Sequence, residues 1–104
     1  MPAGSDVRPQ RWENMLDLYD DGEFSAVWGT YDNSPPRRLG VRWNGESNVG
    51  YPNQGEHPLW YVLPDWLEKM ILLGFCDKIA KNPSEKNKKN IDNILTALKE
   101  CPLR

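Results

Sequence analysis

Residues 24–43 read FSAVWGTYDNSPPRRLGVRW, and this stretch decides the fold class. In its first half Phe24, Ala26 and Trp28 fall on one side of an extended chain, and Ser25, Val27 and Tyr31 on the other. In its second half Leu39, Val41 and Trp43 alternate with Arg38, Gly40 and Arg42, so one face is expected to be buried and the other wet. Asn33-Ser34-Pro35-Pro36 separates the two runs and reads as a turn, because proline brings no N–H to a ladder. The pattern predicts an antiparallel hairpin.

Towards the N-terminus, Trp12, Met15, Leu16 and Tyr19 recur at i, i+3, i+4 and i+7 after Pro9, with Gly22 available as a left-handed stop. That spacing predicts an amphipathic helix. Residues 1–8 are small, polar and unpatterned, so they are expected to form a flexible tail ahead of a single globular domain over 9–104.

Towards the C-terminus, residues 44–58 form a long loop rich in Gly, Pro and amides. Leu59–Leu63 is apolar on both sides, as in an interior strand. Pro64 can open a helix with Asp65 and Glu68 in its first turn, with Leu67, Met70 and Ile71 facing the core, Trp66 beside them, and Gly74 as its stop. Residues 75–82 are then a connector. Asn82, Pro83 and Glu85 start a last helix, whose stripe is Ile91, Ile94, Leu95 and Leu98. The expected fold class is therefore α+β, a three-stranded, mostly antiparallel sheet with helices packed mainly on one face, in the order α-β-β-β-α-α.

Composition bounds the function. The 104 residues hold one domain, with 27% charged and 38% hydrophobic side chains and five Trp, four Tyr and two Phe to fill a core or a binding face. A net charge of −2 argues against duplex DNA or an anionic membrane as the main partner. No apolar run is long enough to span a bilayer, and the first residues lack a basic flank and apolar stretch. Cys76 and Cys101 stand far apart without motif spacing, which suits reduced thiols and a cytoplasmic setting.

Catalytic machinery is hard to assemble from these residues. His57 is the only histidine, and with Cys76 and Cys101 it makes no metal-ligand spacing. A His57–Cys76 nucleophilic pair competes with the ordinary reading of an inert, buried thiol at a helix end. The glycines of residues 45–50 make no phosphate cradle, so no cofactor is expected. Asp20 and Asp21 at a helix end read more simply as exposed carboxylates than as a hydrolytic pair.

Three surfaces remain. The loop carries Asn48, Tyr51, Asn53, Gln54 and His57, the amide, aromatic and titratable types of an adaptable binding loop; the competing role is an ordered cover over the sheet edge. Arg38 and Arg42, near Arg37, would mark a strand face able to hold anions, or one that merely keeps the sheet from aggregating. Asp17, Asp20 and Asp21 concentrate acid on the first helix, against a lysine-rich C-terminal part.

The leading expectation is a non-catalytic module that recognises another protein, in an inhibitor-, immunity- or adaptor-like role, through the acidic helix and the polar loop. The alternative is a binder of a small anionic ligand or single-stranded nucleic acid. It would use an aromatic pocket of Tyr51, His57 and Trp60 beside the loop, with Arg42 orienting the anion. A homo-oligomer fits either expectation, above all if Trp12, Trp60 or Trp66 is exposed.

Overall fold

A computed structural model describes residues 3–101, so residues 1–2 of the expected tail and 102–104 of the expected domain lie outside it. The apolar stripe 12–19 is not a helix. It is strand β1 (Trp12–Asp20), paired antiparallel with β2 (Phe24–Tyr31), which pairs in turn with β3 (Ser34–Trp43). The reason lies in two register shifts of β1, one between Glu13 and Leu16 and one between Asp17 and Tyr19, the first containing Asn14 at φ 53°. Each bulge inserts a residue and turns the following side chains over. Trp12 and Met15 therefore face one side of the sheet, and Leu16, Leu18 and Tyr19 the other, so a twice-bulged strand carries helical spacing.

The central hairpin forms as the alternation dictates. Ala26 and Trp28 of β2 and Leu39 of β3 enter the larger core, while Val27 enters a second cluster on the opposite face. Asp32 and Asn33, at φ 55° and 57°, make the two-residue connection, a left-handed pair suited to the twist of a hairpin. The turn thus sits earlier than the sequence suggested, and β3 takes in Pro35 and Pro36 at its start.

After β3 the chain is not a structureless loop. Tyr51 exchanges both backbone hydrogen bonds with Trp43 (2.7 and 2.9 Å), and β4 (Asn53–Gln54) pairs with β5 (His57–Pro58) as a small hairpin. The expected interior strand shrinks to β6 (Tyr61–Val62), which lies at an edge: the sheet order is β1-β2-β3-β6, all antiparallel. The sheet has four strands rather than three, and the chain order is strand-first, correcting the expected α-β-β-β-α-α. The missing first helix is β1.

Three helices follow: α1 (Asp65–Lys81), α2 (Glu85–Lys89) and α3 (Ile91–Glu100). α1 runs through Gly74 and absorbs the expected connector. Its core face is Glu68, Leu72, Phe75 and Ile79, not Met70. Glu68, fully buried, explains the rotation: it accepts from the Leu39 N–H (3.2 Å) and from Arg38 Nε (3.1 Å), satisfying a strand edge that β6 is too short to cover. Ser84, rather than Asn82, caps the next helix, accepting from the Asn87 N–H at 3.2 Å.

Both sheet faces are covered. Helices α1 and α3 pack Leu72, Phe75, Ile79, Ile94 and Ala97 on one. On the other, Val7, Trp12, Val27 and Trp60 close a second cluster, with Trp60 Nε1 donating to the Val7 carbonyl at 2.9 Å. The segment before Pro9, expected as a tail, thereby packs from a 3₁₀ turn at Gly4–Asp6 through Val7. Gly40 makes the layer possible, since a Cβ there would lie 2.8 Å from the Trp12 ring. Gly74 shows no such need: beyond its own stretch of helix, nothing lies within 4 Å of its Cβ position. Gly74→Ala is accordingly expected to stabilise the fold by about 0.5–1 kcal/mol through helix propensity, measured by thermal unfolding at low protein concentration.

Candidate functional site

The structure takes apart the two charged surfaces that the sequence suggested. Arg42 is 1% exposed, because its face of β3 lies under the chain that follows. Its Nη1 donates to the carbonyls of Pro52 (3.1 Å) and Leu59 (2.7 Å), its Nη2 donates to that of Val49, and Nε has no partner among the described residues. Burial lowers its pKa from the usual arginine value. Arg42 fastens residues 49–59 to the sheet instead of meeting an anion. Arg38 is held by Glu68 and the Leu63 carbonyl (2.7 Å), and Arg37 by Glu100. No open arginine face is left on β3.

The acidic group is equally committed. Asp17 pairs with Arg8 at 2.7 Å. Asp21 shapes the β1–β2 turn, its Oδ1 accepting from the Glu23 and Phe24 amides. Its other oxygen accepts from the Tyr19 hydroxyl, whose pKa is pushed up to about 12 by burial and by this contact. Asp20 is buried and accepts from the Gly4 and Gly22 amides (both 2.9 Å), Asn44 Nδ2 (3.1 Å) and Lys86 Nζ (3.4 Å). Burial works to raise its pKa, but the amide hydrogen bonds, Lys86 and Asn44 together leave it below the ordinary aspartate value. These carboxylates build a hairpin and its junction with α2.

Of the loop residues, Gln54 and His57 face one another across β4 and β5 and line a cleft of about 730 Å³ with Arg8, Arg11, Trp12, Tyr31 and Trp60. Tyr51 and Arg42 are not part of it. Asn48 and Asn53 serve the loop itself, the first accepting from the Gly50 N–H (2.8 Å) and the second donating to the Gly50 carbonyl (2.7 Å). Gly50 is obligatory there: at φ 75° a Cβ would lie 2.1 Å from the Trp43 carbonyl.

A different surface assembles where the sequence gave little warning. Phe24 lies opposite Trp43, Tyr51 bridges Trp43 from the other side, and Tyr61 lies opposite Val41. Residues directly paired, and residues two apart on a strand, share a face. Trp43, Tyr51 and Tyr61 therefore stand on the helix-bearing face beyond the helices, each more than half exposed, with Phe24 and Trp43 edge-to-face at 4.8 Å. The sequence pattern places Trp43 and Tyr61 in the core, and the structure exposes both. The end of the Leu39–Trp43 alternation against Asn44-Gly45 was the one signal that the strand outruns its cover.

Among the described residues no group of three His, Cys, Asp or Glu is placed to hold a metal ion, and no helix is long and apolar enough to cross a membrane. Comparison with protein-family models, curated proteins and solved structures returned no match to this chain.

Proposed function

We propose that the protein is a non-catalytic recognition module that binds another protein through the aromatic surface of Trp43, Tyr51 and Tyr61. The observation that supports it is three large rings held in the open on one sheet face by strand register, when the other three tryptophans of the sheet region, Trp12, Trp28 and Trp60, are buried. Solvent-exposed aromatic clusters with polar rims are the energetic centres of protein interfaces. Glu23 precedes Phe24 and Glu46 follows Trp43 by three residues, both exposed, which suits a partner with a basic or polar rim and disfavours a nucleic-acid backbone. The loop amides Asn48 and Asn53 flank Tyr51. An inhibitor-, immunity- or adaptor-like role in the cytoplasm follows from this reading, the half-buried Cys76 and buried Cys101 being unbridged.

A second reading rests on the 730 Å³ cleft, whose size suits a small ligand and whose Arg11, His57 and Gln54 suit an anionic group. It lies on the sheet face opposite the exposed rings. Quantitative affinity capture from the native host, followed by titration with the recovered protein, separates the two. Trp43→Ala and Tyr51→Ala are each expected to weaken binding by about 30-fold or more, as interface anchors do. Full affinity in both variants defeats the first reading. Sensitivity to Arg11→Ala and His57→Ala instead transfers the function to the cleft.

A further inference from the structure

The cleft of about 730 Å³ is bounded by two segments that lie outside the main sheet. One wall is the N-terminal stretch from Asp6 to Arg11, and the other is the β4–β5 hairpin with Gln54 and His57. Between the walls the sheet contributes Trp12 and Tyr31, directly paired across β1 and β2, with their rings edge-to-face at 5.4 Å.

The polar side chains of the cleft divide by what already holds them. Arg8 is committed to Asp17 and to the Gly4 and Val7 carbonyls. Arg37, Arg38 and Arg42 are likewise held inside the fold. Arg11 is exposed, and among the described residues its guanidinium has no hydrogen bond or ion pair. Gln54 and His57, on the opposite wall, are also exposed donors without a side-chain partner among the described residues. A guanidinium with two further donors suits an anionic oxygen group, which it can hold bidentately.

Asp6 limits how much negative charge that group can carry. It is exposed and is the one carboxylate among the lining residues. With Arg8 matched by Asp17, Asp6 offsets Arg11, so the cleft has no surplus positive charge for a dianion or a polyanion. A single negative charge fits this balance, and the Trp12–Tyr31 pair beside it suits a flat apolar ring.

We infer that the cleft binds an aromatic monocarboxylate, with the carboxylate on Arg11, Gln54 and His57 and the ring against Trp12 and Tyr31. The inference rests on the cleft being a ligand site and adds the class of ligand. It is independent of the aromatic sheet face.

The test titrates the full chain, labelled with ¹⁵N, with four probes followed by NMR. Phenylacetate is expected to bind with a Kd of about 1–10 mM, moving the Trp12 indole and Gln54 side-chain signals and leaving that of Trp43 in place. Phenylacetamide, which lacks the charge, cyclohexylacetate, which lacks the aromatic ring, and phenyl phosphate, which carries more charge, are each expected to bind about threefold or more weakly. Arg11→Gln, at a side chain that nothing in the fold uses, is expected to weaken phenylacetate by about tenfold or more. Asp6→Asn is expected to improve phenyl phosphate more than phenylacetate. Equal binding of phenylacetate and phenylacetamide, or full phenylacetate affinity in Arg11→Gln, overturns the ligand class while leaving the cleft as a site for other chemistry. A cleft that responds to none of the four probes overturns the class and the ligand-site reading together.

Discussion

Arg42→Ala is expected to cost about 3–5 kcal/mol of stability and to release residues 49–59 from the sheet. The guanidinium is buried and supplies hydrogen bonds to three carbonyls, those of Val49, Pro52 and Leu59, which lie up to ten residues apart in a segment with little regular structure. Removing it leaves a cavity the size of the side chain and takes the side-chain donor from the Val49 and Leu59 carbonyls, while that of Pro52 keeps the Leu59 N–H, and an unpaired buried acceptor costs about 1–3 kcal/mol. Arg42→Lys is expected to recover only part of the loss, because a single ammonium cannot reproduce the planar fork that reaches in three directions. Urea unfolding measures the stability change. Hydrogen exchange locates it: the amides of Tyr51 and Leu59, which bond to Trp43 and Pro52, should lose protection first. A variant within 1 kcal/mol of the unaltered protein, with those amides still protected, would mean that β4, β5 and the Tyr51 bridge hold the segment unaided.

The same residue shows where sequence reasoning stopped. Alternation along β2 and β3 determined which side chains share a face, and the structure agrees with it residue by residue from Phe24 to Trp43, apart from the earlier turn. Alternation cannot report what lies above a face. Arginine on a strand face is usually wet, whereas here the chain folds back over Arg42 and turns it into an anchor. Burial of Glu68 was hidden for a related reason: its partners, Arg38 and the Leu39 amide, lie 30 and 29 residues away and meet it only in the folded chain. β1 failed differently. Its bulges reproduce the i, i+3, i+4, i+7 spacing that a helix requires, and nothing local separates the two origins of that spacing. The aromatic surface depends on strand length as well as register. Tyr51 and Tyr61 reach Trp43 and Val41 only because the chain returns twice to the outer edge of β3, a topology that composition does not encode. On α1, Trp66, Met70 and Leu73 share an outward helical face that the spacing contains, and placing Met70 in the core hides it.

Asp20→Ala is expected to be about as damaging at neutral pH, about 3–5 kcal/mol, because breaking a buried charged cluster leaves its donors unpaired. The carboxylate draws together the 3₁₀ turn through Gly4, the hairpin through Gly22, β3's end through Asn44 and helix α2 through Lys86, while the Asp20 amide donates to Asn87 Oδ1 at 2.9 Å. Ser25 completes the cluster by donating to Asn44 Oδ1 at 2.7 Å. Its pH dependence has a definite sign. The folded carboxyl titrates below its ordinary value, whereas the unfolded one titrates near ~3.9. As acid is added, the unfolded chain takes up this proton first, so the contribution is complete above ~4 and declines as pH falls through the folded value. Asp20→Asn keeps the shape, lacks the charge and should lose less than the alanine variant. Its stability should also fall less steeply than that of the unaltered protein between about pH 5 and pH 2, so that the two curves converge in acid. Chemical denaturation at a series of pH values gives that difference directly, with every other carboxylate common to both proteins. Parallel curves would show that the hydrogen bonds of Asp20 hold the junction and that its charge does not.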